Sequence, residues 1–463
     1  MATLCALLGV LLCCAAGAGA YNATLTRTTG GVANIESSSL AGAGFGTGYA
    51  QAQDGICTLA DVYLTVSGER AVFFGPSATV KDEDTKSVDT DLNSDLYWTS
   101  LIDNHTVESL LALPYPKGPS QASKEVVAGF AAGYDKYLSD VGGPSGITDP
   151  RCAGAAWVRP IKAIDVWRRM YQLDTLAGGA ARASLIAPAA PPAGQPNARR
   201  AAIVKDAEPA GEDIGNALED SSTVSGSNGM GIGGEDATSG GGVTLANPHF
   251  PWLGDERFWE SHVDVPGTYE MIGASLWGVP LVTIGHNQHV SWTHTVSTNV
   301  TTSSFKLTLV PGHDTEYLVD GVATPMTHTD VTVQALEGGV LVPHSHRFYY
   351  SKYGPIVASP GWTTTSATAF DDANFTNLRG ADQWLKMGES SSAAELLASQ
   401  KEIDGVPWVN TIGADDKGNA FYSEIVVTPD EPISYLNGAC NLSPSHSTAG
   451  PFDGSKSDIA AHR

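Results

Sequence analysis

Apolar positions along the chain change their period about halfway. From Leu40 to Gly68 the sequence is rich in Ala and Gly, and apolar residues recur through Ala50, Ile56, Leu59 and Val62. Lys124 to Leu138 sets Val127, Phe130, Ala131, Tyr134 and Leu138 at helical spacing, which predicts a helix with a core-facing stripe. Ile161 to Leu173 predicts a third helix. Between Asp174 and Gly226, Ala, Pro, Gly and acidic residues dominate, and little is left to build a core, so a flexible linker is expected. Beyond Gly226 the pattern turns strand-rich. Leu281–Ile284 and Val290–Val296 flank a Gly-His-Asn-Gln-His turn and predict a hairpin. Further strand pairs are expected around Phe305–Val310, Val331–Leu336, Val340–Tyr350, and Trp408–Ile412 with Ala420–Ile425. Helices first and strands afterwards predict one layered α+β body built from two segments.

Charge narrows the functions. The 463 residues hold 26 Lys+Arg against 50 Asp+Glu, a net charge of −24. That balance lacks the basic face that nucleic acid requires and disfavours an anionic membrane surface. At 42% hydrophobic and 16% charged, the chain can bury a sizeable core. Leu4–Leu12 is a short apolar run followed by Ala18-Gly19-Ala20, the pattern of a signal peptide over residues 1–20. No later segment offers about 20 apolar residues, so no membrane span is expected. The mature chain should begin near Tyr21, outside the cell or in the secretory lumen. Asn22, Asn104, Asn299, Asn374 and Asn441 each open a glycosylation tripeptide. Cys5, Cys13 and Cys14 would leave with the signal, and Cys57 and Cys152, both in the N-terminal half, could pair in an oxidising compartment. Cys440 is then left over, which points to an intermolecular bond, an unoxidised thiol or a partner elsewhere.

Several familiar sites are missing from the sequence: a P-loop, a His-Glu-x-x-His zinc motif, paired Cys-x-x-Cys, and a Gly-x-Ser-x-Gly elbow. Gly44–Gly48 is better explained by helix packing than by phosphate binding. Eleven of the twelve histidines follow Ser227, but His286, His289 and His294 straddle a turn without accompanying Cys or acid ligands, and no metal is assigned to them. His344 and His346 alternate on one strand and are expected at the surface.

The stretch from Gly226 to Asn299 is the informative one. It contains Gly226-Ser227-Asn228, Leu245-Ala-Asn-Pro-His-Phe-Pro-Trp252, Gly273-Ala-Ser-Leu276, Ile284-Gly-His-Asn287 and Trp292-Thr-His-Thr-Val296. These motifs resemble the penicillin acylase (penicillin amidase) family of N-terminal-nucleophile hydrolases. The likeness is strongest to its long-chain branch, the acyl-homoserine lactone acylases and aculeacin-type acylases. Gly48-Tyr-Ala-Gln-Ala-Gln-Asp54 and Gly68-Glu-Arg-Ala71 continue the resemblance upstream; Gly405-Val-Pro-Trp-Val-Asn410 and Asp415-Asp-Lys-Gly-Asn419 continue it downstream.

The resemblance implies a four-layer αββα fold and an amide hydrolase that matures itself. Ser227 Oγ would attack the Gly226 carbonyl, and hydrolysis of the ester would expose Ser227 as a new N-terminus. A free α-amine has a pKa near 8, far below about 10.4 for lysine, so it can serve as general base for its own hydroxyl. His249 falls where the family has a histidine beside the nucleophile; the alternative is a buried structural His in a Pro-His-Phe-Pro turn. The Val296 N–H matches an oxyanion donor, and losing one such donor costs about 3–4 kcal/mol. Phe250, Trp384, Trp408 and Val409 match the wall of an acyl pocket, though core packing explains any one of them alone. Burying each CH₂ contributes about 0.8 kcal/mol, which would favour long chains.

The implied organisation is a helical α segment over 21–175, a spacer or propeptide over 176–226, and a strand-rich β segment over 227–463, the α and β chains associating after cleavage. No cofactor is needed. Gly229-Met-Gly231 after the nucleophile is expected to be more flexible than the family's usual aliphatics. The family's downstream oxyanion asparagine has no counterpart before Arg463, so the chain is expected to be C-terminally truncated. Alternatives are an aryl-acetyl (penicillin-type) acylase, or an acyl-binding fragment without turnover.

Overall fold

Two glycine-notched helices form the centre of the N-terminal half. Helix Leu40–Val66 lies against helix Gln121–Asp140, each with a small residue where the other's backbone passes. A Cβ on Gly44 or Gly48 would collide with the carbonyl oxygens of Val126 and Phe130, and one on Gly129 or Gly133 with those of Ala41 and Phe45. Glycine at these positions permits backbone contact. The Gly44–Gly48 cluster is thus a packing notch. The stripe Val127, Phe130, Ala131, Tyr134 and Leu138 is buried, as its spacing predicts. The third predicted helix is observed over Ala163–Asp174, and helices Asp91–Asp103 and Thr106–Leu111 complete this layer. Cys57 and Cys152 form a disulfide with Cα atoms 5.4 Å apart, joining the first helix to the loop before the third.

The computed structural model describes residues 21–79, 89–192, 227–430, 440–443 and 450–456. The signal segment, Gly226 and residues 193–226 of the spacer lie outside them. In chain order the strands are β1 (Thr24–Arg27), β2 (Ala33–Glu36), β3 (Asn228–Ile232), β4 (Val243–Asn247), β5 (Phe258–Val265), β6 (Tyr269–Leu276), β7 (Ile284–His286), β8 (Val290–Val296) and β9 (Thr302–Val310). They continue with β10 (His313–Val319), β11 (Val322–Pro325), β12 (Thr327–Glu337), β13 (Val340–Ser351), β14 (Gly354–Val357), β15 (Ser366–Asp372), β16 (Val409–Asp415), β17 (Ala420–Ser423) and β18 (Phe452–Asp453).

One eight-stranded sheet has the order β1-β2-β5-β6-β7-β8-β16-β17. It is built by both halves of the chain, because β2 runs parallel to β5 with Ala33 beside Ser261. The helices cover one of its faces, and Trp259, Val263, Val265, Tyr269 and Met271 enter the same core as the helical stripe. The β3–β4 hairpin covers the other face over β8 and β16, with Thr244 Oγ1 2.6 Å from Ser291 Oγ. Helix, sheet and hairpin are therefore three successive layers among the described residues. A second eight-stranded sheet, β11-β10-β9-β15-β14-β13-β12 with β18 alongside β9, has its own core around Phe305, Tyr353 and Phe452.

Three expectations change. The predicted hairpin is present, but its first strand is Ile284–His286; Leu281 and Val282 are buried without strand pairing. Residues 176–192 are not loose linker. Arg182, Ala183, Ile186, Ala187 and Ala189 are buried, short helical turns form at Ala180–Arg182 and Ala183–Ile186, and Leu185 O accepts from Ala358 N–H. Alanines here are core residues because their small side chains fit close to the second sheet. His344 and His346 also leave the surface: His344 is 8% exposed and lies 2.6 Å from Glu337, and burial pushes the pKa of His346 down to about 4.

Candidate active site

Ser227 immediately precedes β3, and the paired hairpin fixes its place, with Asn228 opposite Asn247 and Ile232 opposite Val243. The glycines that follow it are not a flexible hinge. A Cβ on Gly229 would come within 2.8 Å of Thr293 Cγ2, so the hairpin lies flat on β8 only because the side chain is missing. The Ser227 hydroxyl oxygen accepts a hydrogen bond from the backbone N–H of His249 at 3.1 Å. That contact differs from the expected one. His249 is exposed, so the reading as a buried structural histidine is overturned, and its main chain touches the serine.

Ser227 opens into an apolar slot of about 60 Å³, room for a few waters. Phe250, Val296, Trp384, Trp408 and Val409 all line it, so six of the residues singled out from sequence, Ser227 included, converge there. Each is held by a different element. Trp408 donates from Nε1 to the Leu173 carbonyl at 2.8 Å, which ties the slot to helix Ala163–Asp174, and its ring stacks on Phe250 at 6.2 Å. Val296 and Val409 are cross-strand partners at the ends of β8 and β16. Trp384 comes from helix Gly380–Gly388, whose end is bound to the β7–β8 turn by Asn287: its Nδ2 donates to Gly388 O at 2.9 Å and Ser390 O at 2.8 Å.

The other motifs are also structural ties around this slot. Gln51 donates to Val279 O at 3.1 Å and accepts from Gly278 N–H at 3.0 Å, anchoring one wall to the first helix. Asp415 accepts from the N–H groups of Lys417, Asn419 and Ala393, which closes the β16–β17 turn and caps the helix that begins at Ala393. Sequence reasoning missed Met170, Leu173, Phe258, Leu276 and Ile284 as slot residues, because only tertiary packing brings them there. It also missed the role of His294, which it considered only as a metal ligand.

His286, His289 and His294 do not converge. His289 pairs with Asp416 at 2.9 Å, His286 is exposed, and His294 is buried. Among the described residues no group of three or more His, Cys, Asp or Glu is arranged to hold a metal ion. Of the glycosylation candidates, Asn22, Asn104 and Asn299 are exposed. Asn374 and Asn441 are not sites in this fold. Asn374 is 1% exposed and donates to Pro407 O at 3.1 Å, holding the loop that carries Trp408, while Asn441 is 7% exposed and accepts from Ser443 N–H. A glycan has no room at either.

A family profile described as Penicillin amidase matches residues 22–461. The aculeacin-A acylase of Actinoplanes utahensis is 38% identical over 454 residues, covering 96% of this chain and 55% of that protein. The acyl-homoserine lactone acylase PvdQ of Pseudomonas fluorescens Pf0-1 is 36% identical over 415 residues, covering 88% and 50% respectively. The chain thus spans about half the length of the curated relatives it matches. A penicillin G acylase from Alcaligenes faecalis superposes on 46% of this chain and 38% of its own, with a TM-score of 0.40 and 16% identity.

Proposed function

The chain belongs to the penicillin amidase family, and on that premise we propose that it is an amide hydrolase that removes a hydrophobic acyl group from an N-acyl substrate, with Ser227 as nucleophile. The observation that carries this reading is the position of Ser227 at the mouth of a slot walled by Phe250, Val296, Trp384, Trp408 and Val409. Relatives named as acylases of aculeacin A and of acyl-homoserine lactones make long acyl chains the substrate class to test first.

Cleavage of the Gly226–Ser227 bond would give Ser227 a free amine near its own hydroxyl. With a pKa near 8 that amine takes the hydroxyl proton as Oγ attacks the acyl carbonyl. The His249 N–H, 3.1 Å from Oγ, orients the nucleophile. The Val296 N–H would stabilise the oxyanion. The amine product leaves with a proton, and water releases the acid from the seryl ester. Secretion behind the signal at residues 1–20 fits the Cys57–Cys152 disulfide, which persists in oxidising compartments. Among the described residues no helix is long and apolar enough to cross a membrane.

Intact-mass analysis tests the reading directly. A new chain beginning Ser227-Asn-Gly is expected in the wild type, and Ser227→Ala should leave the chain uncut. Cleaved protein should release dodecanoyl faster than phenylacetyl groups from matched amides; the reverse order would make it an aryl-acetyl acylase. Cleavage with dodecanoate binding but no release would leave an acyl-binding protein. A wild-type chain that stays uncut overturns the proposal.

A further inference from the structure

Trp384 walls the slot from the helix side, and a side chain that the proposed chemistry does not use holds it there. The Trp384 Nε1–H donates to His294 Nε2 at 3.1 Å. His294 lies in β8, is 6% exposed, and has Nδ1 3.0 Å from the Asn410 carbonyl oxygen on β16. These two neighbours favour one tautomer, and the Thr283 carbonyl also faces the ring. A carbonyl oxygen only accepts, so Nδ1 carries the proton; an indole N–H only donates, so Nε2 is bare.

The ring is braced from behind as well. Thr411 Oγ1 lies 3.4 Å from Nδ1, Gln400 Nε2 donates to that hydroxyl at 2.7 Å, and Ser423 Oγ donates to Gln400 Oε1 at 2.8 Å. Asn410, whose carbonyl takes the His294 proton, also donates from Nδ2 to Thr295 Oγ1 at 3.1 Å and Val296 O at 3.3 Å. One imidazole therefore links the wall tryptophan to the strand pair that carries Val296. His294 itself borders the slot.

We propose that His294 is a positioning residue for acyl-chain selectivity: as a neutral acceptor it locks the Trp384 indole, so that the slot offers a fixed wall against which added methylenes are counted. The inference rests on the reading of the slot as an acyl site. Without the acceptor, a buried indole N–H has no partner, and the ring is expected to leave the wall to find one. A tryptophan held only by packing would tolerate chains of many lengths almost equally.

Calorimetric titration of the full chain with fatty acids from octanoate to tetradecanoate tests this. The wild type is expected to gain about four-fold in affinity per added methylene until the slot is full. His294→Gln, which keeps an acceptor, should retain that slope. His294→Leu and Trp384→Phe should each flatten it to less than two-fold per methylene. The double variant should be no flatter than either single change, because the donor and acceptor vanish together. A wild-type slope in His294→Leu, or losses that add in the double variant, overturns the proposal. Should His294→Leu not fold, Trp384→Phe with an unchanged slope overturns it equally. A wild type that binds none of these acids overturns the acyl-slot reading itself, and this inference with it; binding by the wild type with unchanged variants overturns the inference alone.

Discussion

Acidification should destabilise the fold through His294 by an amount that its surroundings set. Burial pushes its pKa from 6.5 down to about 4. The groups facing it are the Trp384 N–H, the Asn410 and Thr283 carbonyls and the Thr411 hydroxyl, none of them charged. Below pH 6.5 the unfolded chain takes up a proton that the folded ring refuses until about pH 4. The stability carried by the neutral ring is therefore complete above pH 6.5 and drains away as the pH falls. At 1.36 kcal/mol per pH unit, the loss by pH 4 is about 3 kcal/mol. Buried carboxyls work in the opposite sense. Burial raises Asp95 to about 7 and Asp372 to about 6, so both favour the fold at low pH and cost stability as the pH rises through those values. The wild-type curve alone mixes these effects, and a variant must separate them. His294→Gln keeps an acceptor for Trp384 and has no proton to gain. Urea unfolding of both chains at pH 7, 6, 5 and 4 should show the wild type losing about 3 kcal/mol more than the variant across that range. Parallel curves would refute a buried, neutral His294.

Other changes probe the frame around the slot. Replacing Cys57 and Cys152 together by Ala opens a covalent loop with a sequence separation of 95, which chain entropy values at about 4–5 kcal/mol; urea midpoints should fall accordingly, and a loss under about 1 kcal/mol would deny the staple its role. Trp408→Phe keeps a ring beside Phe250 but removes the indole N–H donated to the Leu173 carbonyl, which still accepts from Leu176 N–H, for a loss of about 0.5–1.5 kcal/mol in urea unfolding and weaker acyl binding. Gly48→Ala sets two effects against each other. Helix propensity favours Ala by about 1 kcal/mol, but its Cβ meets the Phe130 carbonyl, so thermal melts should show net destabilisation; a raised Tm would mean the helices can move apart.

What the sequence discloses about this protein depends on how far away the decisive neighbour lies. The stripe from Val127 to Leu138 and the pairing of β12 with β13 are local patterns, and both stand as expected. β1 and β2 carry no such signal: they are four residues each, and β2 becomes a strand because β5, more than 200 positions on, offers it a parallel edge. The error over residues 176–192 has the same origin. Ala183, Ala187 and Ala189 look like linker until a sheet from the other half of the chain closes over them. His344 and His346 were misplaced because strand alternation says which residues share a face, not whether that face is covered. The motifs divide along the same line. The resemblance picked out Ser227, Phe250, Val296, Trp384, Trp408 and Val409, and one slot gathers all six. It could not say why Gln51, Asn287 and Asn374 stand where they do. Each is a buried or half-buried amide whose hydrogen bonds hold a slot wall from a distance: Gln51 the Val279 side, Asn287 the Trp384 helix, Asn374 the loop before Trp408. An amide serves there because it both donates and accepts, so one side chain can fasten two backbone segments that have no strand or helix to join them. Such residues are invisible to periodicity, which registers apolar faces, and their chemistry is silent, which is why Asn374 could be taken for a glycan site when it is a brace for the slot.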